Sequence, residues 1–383
     1  MYTSMITKGA ATAIADMLDN CCQVKAKDEV LIVAHVDGLQ GGDNLVDEQT
    51  IAWIQEGVIA RGANPSVLWI DETAVKNKWR VPPILLGAMR NADVCILHSF
   101  DLTTEEMRMV HENAREYNVR LCRNFASTVG LLNTPWAQTP HELVNAIRYE
   151  AAVPFDKGIR PYVLEDALGT HIEGRILPPN VSIFPSYAGY RIGTKSYRPF
   201  PEWVFPPINI DRTNGVVVFD RMLSWWSRYI GISPYFGKPV ELEIRDSKIV
   251  KISGGEEADK IKAYVEEAAE KIGDAAYNFP EIHGGVHPCT YVGPQNCSNP
   301  LVTRIIDHSS IYNVHFHIGA PFPSKESPYW PHITGDLQKV TWTVGDDIIY
   351  KDGYLMALDS LHVKEVAAKY PGRPGTGFVP KSY

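Results

Sequence analysis

Through the first 150 residues, short runs of consecutive apolar residues alternate with stretches whose apolar positions recur at helical spacing. Residues 5–22 carry the helical pattern, and Val30-Leu31-Ile32-Val33-Ala34 follows as an unbroken apolar run. Runs of this kind fit strands buried on both faces. The alternation continues with a helix near 47–61, the run Ser66–Ile70, a helix near 82–90, the run Val94–Leu97, a helix near 103–117 and the run Val119–Cys122. Repeated β–α units with short links predict a parallel sheet covered by helices.

From about residue 150 the pattern changes. Proline, glycine and aromatic residues become frequent, and the apolar runs shorten and are bounded by turn residues. Asn214-Gly215 before Val216–Phe219 predicts a turn followed by a strand. Arg245-Asp246-Ser247 and Gly345-Asp346-Asp347 each separate two strand-like runs and predict hairpins. An amphipathic helix is expected over about 256–272. The fold class that follows is α/β: a Rossmann-like parallel-sheet domain over 1–150, then an α+β metal-binding catalytic domain over 151–383, rich in antiparallel strands.

Composition excludes several classes. Hydrophobic residues make up 45% and charged residues 21%, which suits a folded chain with a sizeable core. The net charge of −8 and the lack of any basic run argue against nucleic acid as a partner. No apolar run reaches the roughly 20 residues of a membrane span, and the N-terminus lacks a basic start followed by an apolar stretch. A cytoplasmic location and no membrane partner are therefore expected. The six cysteines include no C-x-x-C pair and read as buried free thiols. Gly38-Leu39-Gln40-Gly41-Gly42 has the wrong spacing for a dinucleotide fingerprint. Walker A and G-x-S-x-G motifs are absent from the sequence. His35 and Asp37, just after the first strand, fall where open α/β sheets place ligands, and a loop role suits them equally.

Histidine distribution points to chemistry. Of twelve histidines, His283, His287, His308, His315, His317 and His332 fall within about fifty residues, where an even spread would put roughly one or two. Three clusters contain most of them: Glu281–Pro288, Val314–Gly319 and Trp330–Leu337. Residues i and i+2 of a strand share a face, so Glu281 with His283, and His315 with His317, can point at one site. His332 and Asp336 converge only if the chain turns, which Thr334-Gly335 permits. His308 reads as a hydrogen-bonded core or surface residue. A divalent metal is the commonest cause of such density.

The order of these features resembles the thermophilic aminopeptidase (aminopeptidase T-like) superfamily, closest in function to 2,5-dihydroxypyridine 5,6-dioxygenase-like enzymes. Ile244–Val250 with Gly254-Gly255 resembles the hairpin opening the family's metal domain, and Ala258–Val265 its next helix. Glu281–Pro288 resembles the first-ligand motif, and His317-Ile318-Gly319 a His-x-x-Gly segment. His332 and Asp336, followed by Val340–Val344 and Asp352-Gly353, resemble the closing ligand motif and terminal hairpin. Ile96-Leu97-His98-Ser99 resembles the dioxygenase's site-facing Leu-His, and Gly169–Glu173 its Gly-Thr plus acid segment. Two positions depart from the pattern. Glu281 stands where the dioxygenase would have His, and Thr334 where an Asp is expected, with Asp336 two residues later.

The resemblance implies metal ligation by Glu281, His332 and Asp336, with His98, Glu173 and His317 as catalytic residues. The favoured reaction is ring cleavage of a hydroxylated aromatic or N-heteroaromatic compound by O₂ at mononuclear Fe(II). Trp203, Trp225, Trp226 and Trp330 are candidates to stack on a flat substrate, though core packing suits each of them. The alternative is an aminopeptidase or amidohydrolase using zinc, cobalt or manganese, with Glu173 and His287 as further ligands. A non-catalytic α/β binding protein is a third reading. Relatives of this kind imply a homo-oligomer.

Overall fold

The computed structural model describes residues 5–40, 45–70, 74–75, 78–79, 81–98, 104–177, 197–201, 204–205, 207–319 and 331–379. Ser99, Trp203 and Trp330 lie outside the described residues, as does the side chain of Trp225.

Four of the predicted apolar runs become strands β1 (Glu29–His35), β2 (Asn64–Ile70), β3 (Val94–His98) and β4 (Arg120–Asn124). They pair in parallel in the order β2-β1-β3-β4. Side-chain alternation sorts their apolar residues onto two faces. Val30, Ile32, Ala34, Val94, Ile96 and Cys122 pack in one core with α1 (Lys8–Asp16) and α2 (Glu48–Ile59). Leu31, Val33, Cys95, Leu97 and Leu121 pack in another with α3 (Pro83–Met89) and α4 (Thr104–Glu116). This is why the runs show no polar alternation. A fifth parallel strand, formed by Tyr197–Phe200, joins the edge beside β4. Among the described residues, no helix is long and apolar enough to cross a membrane.

The second sheet has eleven strands and is antiparallel throughout its named pairs. Strands β5 (Arg160–Glu165) and β6 (His171–Ile176) lead to β7 (Ile208–Arg221), which pairs with β8 (Tyr235–Arg245), and β8 with β9 (Lys248–Ser253). On the other side of β7 lie β10 (Glu281–Gly284), β11 (Asn313–Gly319) and β12 (His332–Gln338). The hairpin at 245–247 forms as predicted, with Asp246 and Ser247 both at positive φ (47° and 59°). That conformation matches the twist of the flanking strands. The expected helix is α5 (Glu256–Ile272).

Asn214-Gly215 makes no turn. β7 runs unbroken through it, with a register shift against β6 between Asp211 and Asn214. Gly215 has φ +127° and lies so close to β6 that a Cβ would sit 2.1 Å from the His171 carbonyl oxygen. The Asn-Gly pair thus serves a close strand contact rather than a chain reversal.

Candidate metal centre

Strands β10, β11 and β12 are buried along nearly their whole length, and their two faces differ in chemistry. One face carries Ile282, Val314, Phe316, Ile318, Ile333 and Leu337, all buried in the apolar core. Phe316 there packs edge-on against Phe219 at 5.0 Å between centroids and stacks on Phe279 at 5.5 Å. Gly335 makes room for it, since a Cβ would lie 2.3 Å from Phe316 Cζ.

The other face is a wall of polar groups, because the alternate residues are mostly Glu, His, Thr, Asp, Asn and Gln. Pairing sets them in rows. Asn209 on β7 pairs with Glu281, and Ile282 with Phe316, so Glu281 stands abreast of His317, which in turn pairs with Thr334. The next row is His283, His315 and Asp336. His332 pairs with Gly319 at the near end.

β12 is a straight strand from His332 to Gln338, without the turn that Thr334-Gly335 allows. His332 and Asp336 therefore share a face but stand four residues apart. The structure gathers Glu281, His317 and His332 into one group whose donor atoms lie within 4.8 Å of one another, and puts Asp336 into another with His308 and His315. His317 Nδ1 contacts Glu281 Oε1, and His332 Nε2 lies 3.5 Å from the same oxygen. Glu281 Oε2 has no hydrogen-bond partner among the described residues.

Proton bookkeeping tests whether this group suits a cation. The Phe205 carbonyl can only accept, so His283 Nδ1 carries the proton and donates at 3.0 Å. His283 Nε2 then bears a lone pair, 3.3 Å from His317 Nε2. Two lone pairs repel at that distance, so His317 Nε2 carries the proton and donates to His283. The lone pair of His317 Nδ1 is left aimed at the Glu281 carboxylate. Such a contact is repulsive unless a proton or a metal ion lies between the two, and the buried carboxylate needs one equally. Burial raises the Glu281 pKa, opposed by His332 and His283, and pushes His317 down to about 3. Neutral imidazoles around one carboxylate are the form in which a metal is bound. His283 is the outer partner that fixes the tautomer and ring orientation of His317.

The other predicted site residues are placed elsewhere. His98 ends β3, at the carboxyl edge of the parallel sheet, and is buried. Its Nδ1 lies 3.4 Å from the Asn124 amide nitrogen, so Nδ1 accepts and Nε2 bears the proton. Burial, aided by His35, lowers its pKa to about 3. Glu173 is exposed on β6, because Ile172 and Ile176 take the core-facing positions of that strand and turn 171, 173 and 175 away. It joins none of the candidate metal groups among the described residues. His287, beyond β10, is buried, and its Nδ1 accepts from the Cys289 amide at 3.1 Å. Trp226 is buried against Tyr229 and Tyr264, with centroids at 5.9 and 6.4 Å, and packs in the core.

Sequence reasoning passed over His283 as an orienting group, Asn209 as the neighbour of Glu281, and the link between His308 and Asp336. Alternation of polar residues in Glu281-Ile282-His283 and His315-Phe316-His317 was the available signal for the first. No short-range signal brings His308, at a helix end, to Asp336.

No family profile matches the chain, and no curated protein matches it in sequence. Several solved structures are similar to it in fold, among them these two. One is 2,5-dihydroxypyridine dioxygenase from Pseudomonas putida KT2440, with TM-score 0.64 and 14% identity over 93% of this chain and 99% of that one. The other is wild-type AmpT from Thermus thermophilus, with TM-score 0.51 and 11% identity over 91% of this chain and 99% of that one. The chain thus shares its fold with these two proteins, as the sequence motifs imply.

Proposed function

We propose that this chain is a metal-dependent enzyme whose metal is held by Glu281, His317 and His332, and that it cleaves the ring of a hydroxylated aromatic or N-heteroaromatic compound with O₂. One observation carries this reading. Two histidines and one carboxylate converge on one face of a sheet, which is the donor set of non-haem Fe(II) oxygenases. The fold shared with a dihydroxypyridine dioxygenase supports the same reaction class. Bound there, Fe(II) would supply open positions at which a hydroxylated ring and dioxygen meet.

The remaining work falls to the chain's own groups. Glu281 supplies negative charge, and His283 holds His317 with Nδ1 outward. Burial of the wall keeps bulk water from the reacting atoms. His98 presents its Nε2 proton, which has no hydrogen-bond partner among the described residues, and is the group proposed to bond or protonate the substrate. It sits where open parallel sheets bind ligands. Asp336 and Glu173 have no part in holding this metal.

Metal-dependent hydrolysis of a peptide or amide is the second reading, favoured by the fold shared with AmpT. Metal analysis of protein purified without added metal, paired with oxygen uptake on dihydroxypyridines, separates the two. Iron and substrate-dependent oxygen consumption are expected. Zinc, cobalt or manganese with amide hydrolysis and no oxygen uptake would overturn the dioxygenase reading.

A further inference from the structure

Three of the six cysteines converge beside the first sheet. Cys122, on β4, faces the side that packs with α1. Cys21 and Cys22 lie just past α1, where the chain winds into a wider turn. There the Cys22 amide donates to the Met17 carbonyl five residues back, at 2.7 Å. Side chains of successive helical residues point apart, and π turns of this kind are rare and frequently mark functional sites. Here the turn sets both thiols against Cys122. The Cys21 and Cys122 sulfurs are 3.7 Å apart, and the sulfurs of all three residues lie within 4.8 Å of one another. All three residues are buried in the apolar core. No histidine or carboxylate joins the group among the described residues. Cys95, on β3, belongs to the other face of the sheet.

Charge decides what such a group can hold. The Cys21 thiol donates to the Pro199 carbonyl at 3.7 Å and so keeps its proton. Burial, with hydrogen bonds to Cys21 and Cys22, holds the Cys122 thiol well above its usual pKa, so it too rests neutral. Three thiolates around copper(I) would leave two negative charges in the core, and around zinc one. Closed zinc sites also require a fourth ligand. Arg120 donates to the Cys22 carbonyl but is already paired with Asp28, so it offers no spare charge. A trivalent centre with three thiolates carries no net charge. With bonds to sulfur of about 2.3 Å, as in zinc thiolates, the sulfurs of a three-coordinate site stand roughly 3.5–4.0 Å apart, which brackets the 3.7 Å between Cys21 and Cys122.

We propose that Cys21, Cys22 and Cys122 form a binding site for a soft trivalent metalloid, taken up as its neutral oxyacid, such as arsenous acid. The exchange balances without an oxidant. Three arsenic–oxygen bonds break, three arsenic–sulfur bonds form, and each thiol proton leaves with a hydroxyl as water. Arsenic stays trivalent. Neither reactant nor product is charged, so the exchange suits a core that excludes ions. Bound arsenic replaces the Cys21 hydrogen bond to Pro199 with a covalent tie between the end of α1 and β4. The site shares no residue with the Glu281 group and stands whatever reaction that group performs.

Arsenic binding tests this. Protein reduced with a phosphine, then freed of it, is incubated with arsenite, passed through gel filtration and assayed for arsenic per chain. X-ray absorption at the arsenic edge counts the neighbouring atoms, and circular dichroism confirms the fold. One arsenic per chain with three sulfur neighbours is expected in the wild type. Cys122→Ser should lose the arsenic, whereas Cys289→Ser and Cys297→Ser should keep it. If Cys122→Ser does not fold, the neighbour count in the wild type decides alone. A wild type that retains no arsenic, arsenic with fewer than three sulfur neighbours, or a folded Cys122→Ser that still holds it through three sulfurs overturns the site.

Discussion

Both sheets bury histidines, yet they use them in opposite ways. In the parallel sheet, His35 and His98 sit at the carboxyl ends of neighbouring strands, each strand contributing one. Both faces of that sheet are already committed to helices, so polar groups survive only at its edge. In the antiparallel sheet, one face of β10, β11 and β12 is given over to Glu281, His283, His315, His317, His332 and Asp336. A strand edge can offer single groups to a ligand. A sheet face offers a grid with fixed spacing, which a metal's several ligands require.

This contrast can be broken most decisively at Glu281. Glu281→Ala should lower metal affinity by a factor on the order of 100 or more, whereas His98→Ala should leave it unchanged and reduce turnover. Elemental analysis and activity of both purified variants provide the check. Equal metal loss in the two would erase the distinction between edge and face.

Acid comes next in size. Burial pushes His283, His287 and His317 down to about 3. Imidazoles of the unfolded chain titrate near 6.5, so as pH falls the unfolded state takes up protons first. Stability of the metal-free protein should be flat above about pH 6.5 and fall from there towards pH 3, by about 1.4 kcal/mol per pH unit for each such histidine. Urea midpoints measured in chelator at pH 7.5 and 5.5 would show this. Identical midpoints would mean that these imidazoles are not buried as neutral groups.

His283→Ala should weaken metal binding by about 10–100-fold without removing a ligand, because His317 loses its orienting partner. A titration with cobalt(II) measures it, and unchanged affinity would remove His283 from that role. Gly335→Ala should cost about 1–3 kcal/mol by forcing Phe316 and Phe219 from the apolar side of the same sheet. Thermal unfolding reports it. The smallest effect is expected at Arg175, paired with Asp211 on the exposed side of β6 and β7, where Arg175→Ala should leave both the thermal unfolding midpoint and the metal content unchanged.

The fold was legible wherever local pattern decides it. Continuous apolar runs marked β1 to β4 because both faces are covered, and the turn residues 245–247 marked a hairpin because their conformation is intrinsic. Asn214-Gly215 misled, since the same residue pair that reverses a chain also tolerates the close passage of β6. The candidate metal group was half legible. Its members Glu281 and His332 stand out in their motifs, and His317 in its alternation with His315. The placement of Asp336 apart from them turns on a register question: whether Thr334-Gly335 turns or extends is settled by pairing with Phe316 and His317, not by those residues themselves. His308 reaches Asp336 only through tertiary packing, which no short window of sequence records.

The strand at Tyr197–Phe200 has a practical consequence. The first sheet is completed by residues that the ribosome makes well after its other four strands. A fragment ending near residue 150 would leave the β4 side of the sheet with unmatched amides and carbonyls, an open template for self-association. Cutting this polypeptide into independently expressed halves should therefore give an insoluble first half, and dissection is better done by point substitution than by truncation.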